Sequence, residues 1–182
     1  MITVSHDEKK ARRQARLAAQ FATAPGRKPD NVRIATPRDV EPILELMIEA
    51  HSEVGMSPLN KEKVCRRIIT AVERDKAIAG VIDGPNGIEA SVGLMLAQWW
   101  YSDEFHIEDV WNFVAPAHRA SRHAQNLLNF SKWFADEIQI PLLMGILTTE
   151  KTLEKERLYE RRLPKVGALF MYRPQPKVVT DV

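Results

Sequence analysis

The chain has a single cysteine, Cys65, in 182 residues. That excludes an internal disulfide and a zinc ribbon, and it fits a reducing compartment. No apolar run reaches about 18 residues, so no transmembrane helix is predicted. The N-terminus lacks the apolar core of a secretion signal. Glycine numbers only 8 and charged residues 27%, which excludes a collagen and a disordered chain. One-sided charge is also missing. Lys and Arg number 26 against 24 Asp and Glu, whereas binding nucleic acid along a whole surface asks for a larger basic excess. These absences leave an ordinary globular protein, expected in the cytoplasm. Its length suits one main domain that needs no metal or disulfide to fold.

The basic excess is local. Residues 1–28 hold seven basic residues (Lys9, Lys10, Arg12, Arg13, Arg16, Arg27, Lys28) against Asp7 and Glu8. Ser5 and Glu8 have capping-box spacing, and Ala11, Ala15, Ala18 and Ala22 share one helical face. Residues 1–31 are therefore expected to be a basic helical arm and linker. The arm is either a solvated helix or a docking element for a protein partner or larger assembly. Nucleic acid is a weaker alternative for it.

The main domain is expected over 32–176, followed by a short tail, 177–182. Val32 to Ile34 reads as a strand, and Asp39 as the N-cap of a helix carrying Val40, Ile43, Leu44, Met47 and Ile48 inward. Residues 51–59 read as a loop, and Asn60 caps a second helix with Val64, Ile68 and Val72 buried. A hairpin follows: strand 77–83, turn 84–87, strand 88–98. Strand 105–114, helix 121–137 and strand 140–147 form a βαβ unit with its two strands parallel. The uniform hydrophobicity of 140–147 predicts burial on both faces. A helix over 152–162 and a final strand over 166–172 complete an α/β (α+β) mixed sheet flanked by helices.

The turn inside the βαβ unit is the place where chemistry is expected. After Val114 the chain reads Ala115-Pro116-Ala117-His118-Arg119-Ala120-Ser121-Arg122-His123-Ala124. Free N–H groups and the positive end of a helix dipole make an anion site. Arg119 and Arg122 add charge. Ala120, Ser121 and Ala124 are small enough for a ligand to approach the backbone. The pattern supports a phosphate cradle and equally a solvated polar loop.

Val114, Pro116, Arg119, Ala124, Leu127 and Leu128 stand where the GNAT superfamily of N-acetyltransferases has V-x-P, R/Q-x-x-G-x-G/A and a Leu pair. The sequence resembles that family over 32–172. With Arg and Ser in the loop it resembles divergent variants of the family from phages, and a phage source would imply a host cytoplasm or a virion. The resemblance implies a GNAT-like acyl-CoA N-acyltransferase fold. It also implies acetyl-CoA or another acyl-CoA as cofactor, and acetyl transfer to a primary amine on a small molecule or a protein. Val114, Arg119, Ala120, Ser121, Arg122, His123 and Ala124 would hold the cofactor. By the same resemblance Tyr159 would be general acid and Glu108 general base. Arg122 stands where the family has Gly, so a GNAT-fold binding module without turnover is the alternative.

Other residues carry weaker signals. Asp103, Glu104, Glu108 and Asp109 form an acidic cluster suited to attracting an amine. Trp99, Trp100, Tyr101, Trp111 and Trp133 are expected to pack in the core. No histidine has a carboxylate at i,i+4, so no metal site is predicted. His118 and His123 are expected to touch phosphate.

Overall fold

The computed structural model describes residues 26–148 and 151–172. The expected basic arm and linker, apart from residues 26–31, and the tail lie outside the described residues. The chain forms two compact units: Ala24–Leu158, which carries the sheet, and a second that includes Tyr159–Val182.

In the first unit the strands are β1 (Arg33–Ile34), β2 (Ala77–Gly84), β3 (Gly87–Gln98), β4 (Phe105–Val114) and β5 (Leu142–Leu143). They lie in the order β1-β2-β3-β4-β5. The first four pair antiparallel, and β4 pairs parallel with β5. The helices are α1 (Val40–Val54), α2 (Lys61–Glu73), α3 (His123–Ile138) and α4 (Thr152–Glu160). Among the described residues, no helix is long and apolar enough to cross a membrane.

Side-chain alternation along β2 builds two core layers. Ala77, Ala79 and Val81 face α1 and α2, where Ile43, Met47, Ile68 and Val72 close the layer. Ile78 and Ile82 face α3 through Leu127 and Phe130. Gly80 is required here: a Cβ would come within 2.7–3.1 Å of the Phe130 ring. Phe130 thus rests on the backbone of β2, and its full burial contributes about 2–3 kcal/mol.

Local rules explain most boundaries. Asn60 caps α2 by accepting from Lys63 N–H at 2.9 Å. Helix α1 runs one turn beyond the expected boundary, through Val54, and stops at Gly55 with φ 49°. Asp39 precedes α1 but does not cap it with its side chain. That buried carboxylate instead accepts from Thr36 N and Oγ1 and takes a bidentate grip from Arg33 at 2.7 and 2.8 Å. Arg33 also holds Asp83 at 2.5 and 2.7 Å, tying β1 and the α1 turn to the end of β2.

Two expected strands differ from the structure. Residues 140–147 pair with β4 only at Leu142 and Leu143 and are only partly buried, not covered on both faces. They sit at the sheet edge, and Pro141 offers no N–H to a ladder. Residues 166–172 form no strand; they lack regular structure, with Phe170 and Tyr172 largely exposed. Without a ladder partner an apolar run has nothing to hold it extended. In that second unit, Lys165 stands 3.8 Å from Glu160.

Two bulges shape the sheet. Ile82 faces Ala90 but Asp83 faces Ile88, leaving Glu89 as the extra residue on β3. Gly93 faces Trp111 but Leu94 faces Asp109, leaving Val110 extra on β4. Trp111 lies directly over Gly93, where a Cβ would overlap the indole, and its Nε1 donates to Ser91 Oγ at 2.9 Å. Bulges of this kind twist a strand and re-aim its side chains.

Candidate active site

The loop from β4 to α3 is tighter than expected. Pro116–His118 form a 3-10 turn, and α3 starts at His123, two residues later than the sequence suggests. Ser121 is outside the helix; its N–H bonds to His118 O at 3.0 Å and its Oγ accepts from His123 N–H at 3.1 Å. Arg119 N–H reaches Pro116 O at 3.4 Å. Among the described residues, the N–H groups of Ala120, Arg122, Ala124 and Gln125 have no hydrogen-bond partner. They stand at the positive end of the α3 dipole.

Arg122 has φ −88° and ψ 9°, so this position does not need glycine's backbone freedom. Its side chain is exposed and makes no ion pair among the described residues. Arg119 differs. Its Nη2 lies 2.5 and 2.6 Å from the two oxygens of Glu53, and its Nε donates to Val114 O at 3.3 Å. The guanidinium also covers Phe113, 5.3 Å from the ring centroid. Lys155, on α4, has its pKa lowered by burial and by the Arg119 charge, with Glu53 opposing.

His123 and His118 both turn toward Glu89. His123 Nε2 is 2.7 Å and His118 Nδ1 3.4 Å from Glu89 Oε2. The two rings expected at phosphate are therefore engaged with a carboxylate on β3.

On β4, Glu108 is half exposed and bonds through Oε1 to His106 Nε2 at 2.8 Å. His106 is buried and stacks on Trp99, centroids 4.1 Å apart. His106 Nδ1 has no partner among the described residues. Trp100 and Tyr101, expected in the core, are instead 94% and 67% exposed. Trp111 and Trp133 are partly buried against the two layers.

Asp109 was legible only as one acid in a cluster. It precedes the Val110 bulge, and its Oδ1 accepts from Gly145 N–H at 2.8 Å. The bond spans β4 and the chain beyond β5, just past the last ladder pair, Glu108 with Leu143. Burial pushes its carboxyl up to about 6, against the Gly145 bond and with help from the Glu108 charge. Tyr159 is in the last turn of α4 and belongs to the second unit.

No family model and no curated protein matches the sequence. Solved structures do. A predicted acetyltransferase from Clostridium acetobutylicum, solved with acetyl-CoA, is 12% identical; 79% of this chain and 95% of that one are covered, with a TM-score of 0.64. A GCN5-related N-acetyltransferase from Ralstonia eutropha JMP134 is 18% identical, with 79% and 97% covered and a TM-score of 0.62. AAC(6')-Iy, in complex with the bisubstrate analog CoA-S-monomethyl-acetylneamine, is 11% identical, with 80% and 97% covered and a TM-score of 0.60. The mixed five-stranded sheet with four helices is thus the GNAT acyl-CoA N-acyltransferase fold, shared with these acetyltransferases.

Proposed function

We propose that the chain is an acyl-CoA-dependent N-acetyltransferase that moves an acetyl group to a primary amine on a small molecule or a protein. The observation that carries this reading is the parting of β4 from β5. Their pairing ends after two residues, and a carboxyl with raised pKa, Asp109, stands at the divergence beside the Val110 bulge.

The loop residues fit a diphosphate. Ala120, Arg122, Ala124 and Gln125 offer N–H groups, and the exposed Arg122 guanidinium adds a cation. Arg119 holds the loop through Glu53 rather than gripping the ligand. Bound acetyl-CoA supplies the thioester whose C–S bond breaks as the C–N bond forms. An ammonium must first lose a proton, and Asp109, at about 6, is a base suited to neutral pH. Glu108, beside His106, is the second carboxylate in reach of this role, directly or through a water. The Val110 bulge interrupts the β3–β4 register, and a backbone N–H there would be the donor for the charge that grows on the carbonyl oxygen.

Calorimetry of the full chain with acetyl-CoA tests the reading. Saturable one-site binding is expected, and absence of binding at about 1 mM ligand overturns it. The capture of Arg119 by Glu53 favours a second reading, a binding module without turnover. Binding of CoA with no acetylation across a panel of amines selects it.

A further inference from the structure

Three metal-ligating side chains converge from separate elements. Glu89 comes from the bulge on β3, His118 from the 3-10 turn after β4, and His123 from the first position of α3. One ligand atom from each lies within 4.8 Å of the other two. The geometry points to a site for a divalent transition-metal ion of the zinc class, held by Glu89 Oε2, His118 Nδ1 and His123 Nε2.

The donor set selects the ion. Two imidazoles and one carboxylate suit zinc and its neighbours, whereas magnesium and calcium ask for oxygen ligands. Three ligands at about 2.0–2.2 Å in a tetrahedral arrangement stand about 3.3 Å apart. The Glu89–His118 distance is already 3.4 Å, and the Glu89–His123 distance of 2.7 Å needs only a small opening. The metal would replace the proton now shared between Glu89 and His123.

The fold positions these groups. As the extra residue of its bulge, Glu89 has no partner on β2, and Gly84 leaves the room its carboxyl occupies, which a Cβ would fill. The Glu89 carbonyl accepts from Ala115 N–H at 2.9 Å, fixing the strand against the start of the loop. Glu89 and His123 are 15% and 14% exposed, while His118 is 40% exposed. The pair is thus shielded and the third ligand faces solvent, which gives the ion an entry path and leaves a coordination position for water.

The site does not depend on the transferase reading, and its test uses no CoA. The full chain, stripped with chelator, is titrated with Zn²⁺ by calorimetry against a competing chelator, and with Co²⁺ by visible absorption. One equivalent is expected, with the Co²⁺ bands of a four- or five-coordinate site. His118→Ala, on an exposed turn, is expected to weaken binding roughly tenfold or more and to abolish those bands. Glu89→Gln should do the same if its circular dichroism is native; if it is not, His118→Ala alone decides. Absence of binding, or wild-type affinity in His118→Ala, overturns the site and leaves Glu89–His123 as a hydrogen bond joining β3 to α3.

Discussion

Arg119 is held by Glu53, its Nη2 2.5 and 2.6 Å from the two carboxylate oxygens. The pair joins the last turn of α1 to the loop ahead of α3, and both side chains are less than one-fifth exposed. Removing Glu53 leaves the largely buried Arg119 guanidinium without its carboxylate, and removing Arg119 takes away the cation that faces Glu53. Glu53→Ala and Arg119→Ala are each expected to cost about 2–3 kcal/mol, and the double variant far less than their sum. Denaturant unfolding of the four proteins in this cycle checks the coupling. Additive losses would mean that the pair contributes nothing as a pair.

Asp109 carries a stability cost at neutral pH. Its carboxyl titrates at about 6 folded and at 3.8 as an ordinary aspartate. Between those values the folded chain binds more protons than the unfolded one, so this group makes stability fall as pH rises. The penalty is complete above about 6 and absent below about 4. Asp109→Asn should therefore be more stable than wild type at neutral pH, by on the order of 1–2 kcal/mol, with the gain vanishing in acid. Its Oδ1 can still accept from Gly145. Under the transferase reading, acetyl transfer at neutral pH should drop by about 10²-fold or more. Thermal melts across pH and an amine acetylation assay read the two effects separately.

The Arg33 cluster has the opposite sign. The guanidinium holds Asp39 and Asp83 below the usual carboxylate range. Folded pKa values below the unfolded ones give stability that is present above about pH 4 and lost as pH falls through the folded values. Arg33→Ala leaves the buried Asp39 carboxylate without its cation. The expected cost at neutral pH is about 3 kcal/mol, with a flatter loss of stability in acid. Unfolding free energies measured from neutral to strongly acidic pH check both. An acid profile unchanged from wild type would sink the assignment.

Much of this architecture could be read from residue order, because helical and strand periods are local properties. Ile43, Met47, Ile68 and Val72 announced two amphipathic helices, and Pro85-Asn86 between two apolar runs announced the hairpin. What could not be read were consequences of neighbours. The 140–147 run is as apolar as a central strand, yet it lies at an edge where pairing stops after two residues. Bulges at Glu89 and Val110 leave no mark in composition, since they exist only in the register between strands. For that reason Glu89 carries no signal in the sequence, and the spacing of His118 and His123 does not reveal a carboxylate that comes from another element. Glu53 was hidden by an early end assigned to α1. The loop itself was legible from Val114 to Ala124, but the commitment of Arg119 to Glu53 was not.

The seat of Phe130 on Gly80 has a bearing on the loop about two turns away along α3. With no side chain between ring and strand, the helix has no slack along that contact. A methyl group at position 80 would act as a shim, lifting the middle of α3 and swinging its first residue, His123, away from β3. The placing of His123 beside Glu89 is thus gauged by a position that touches neither.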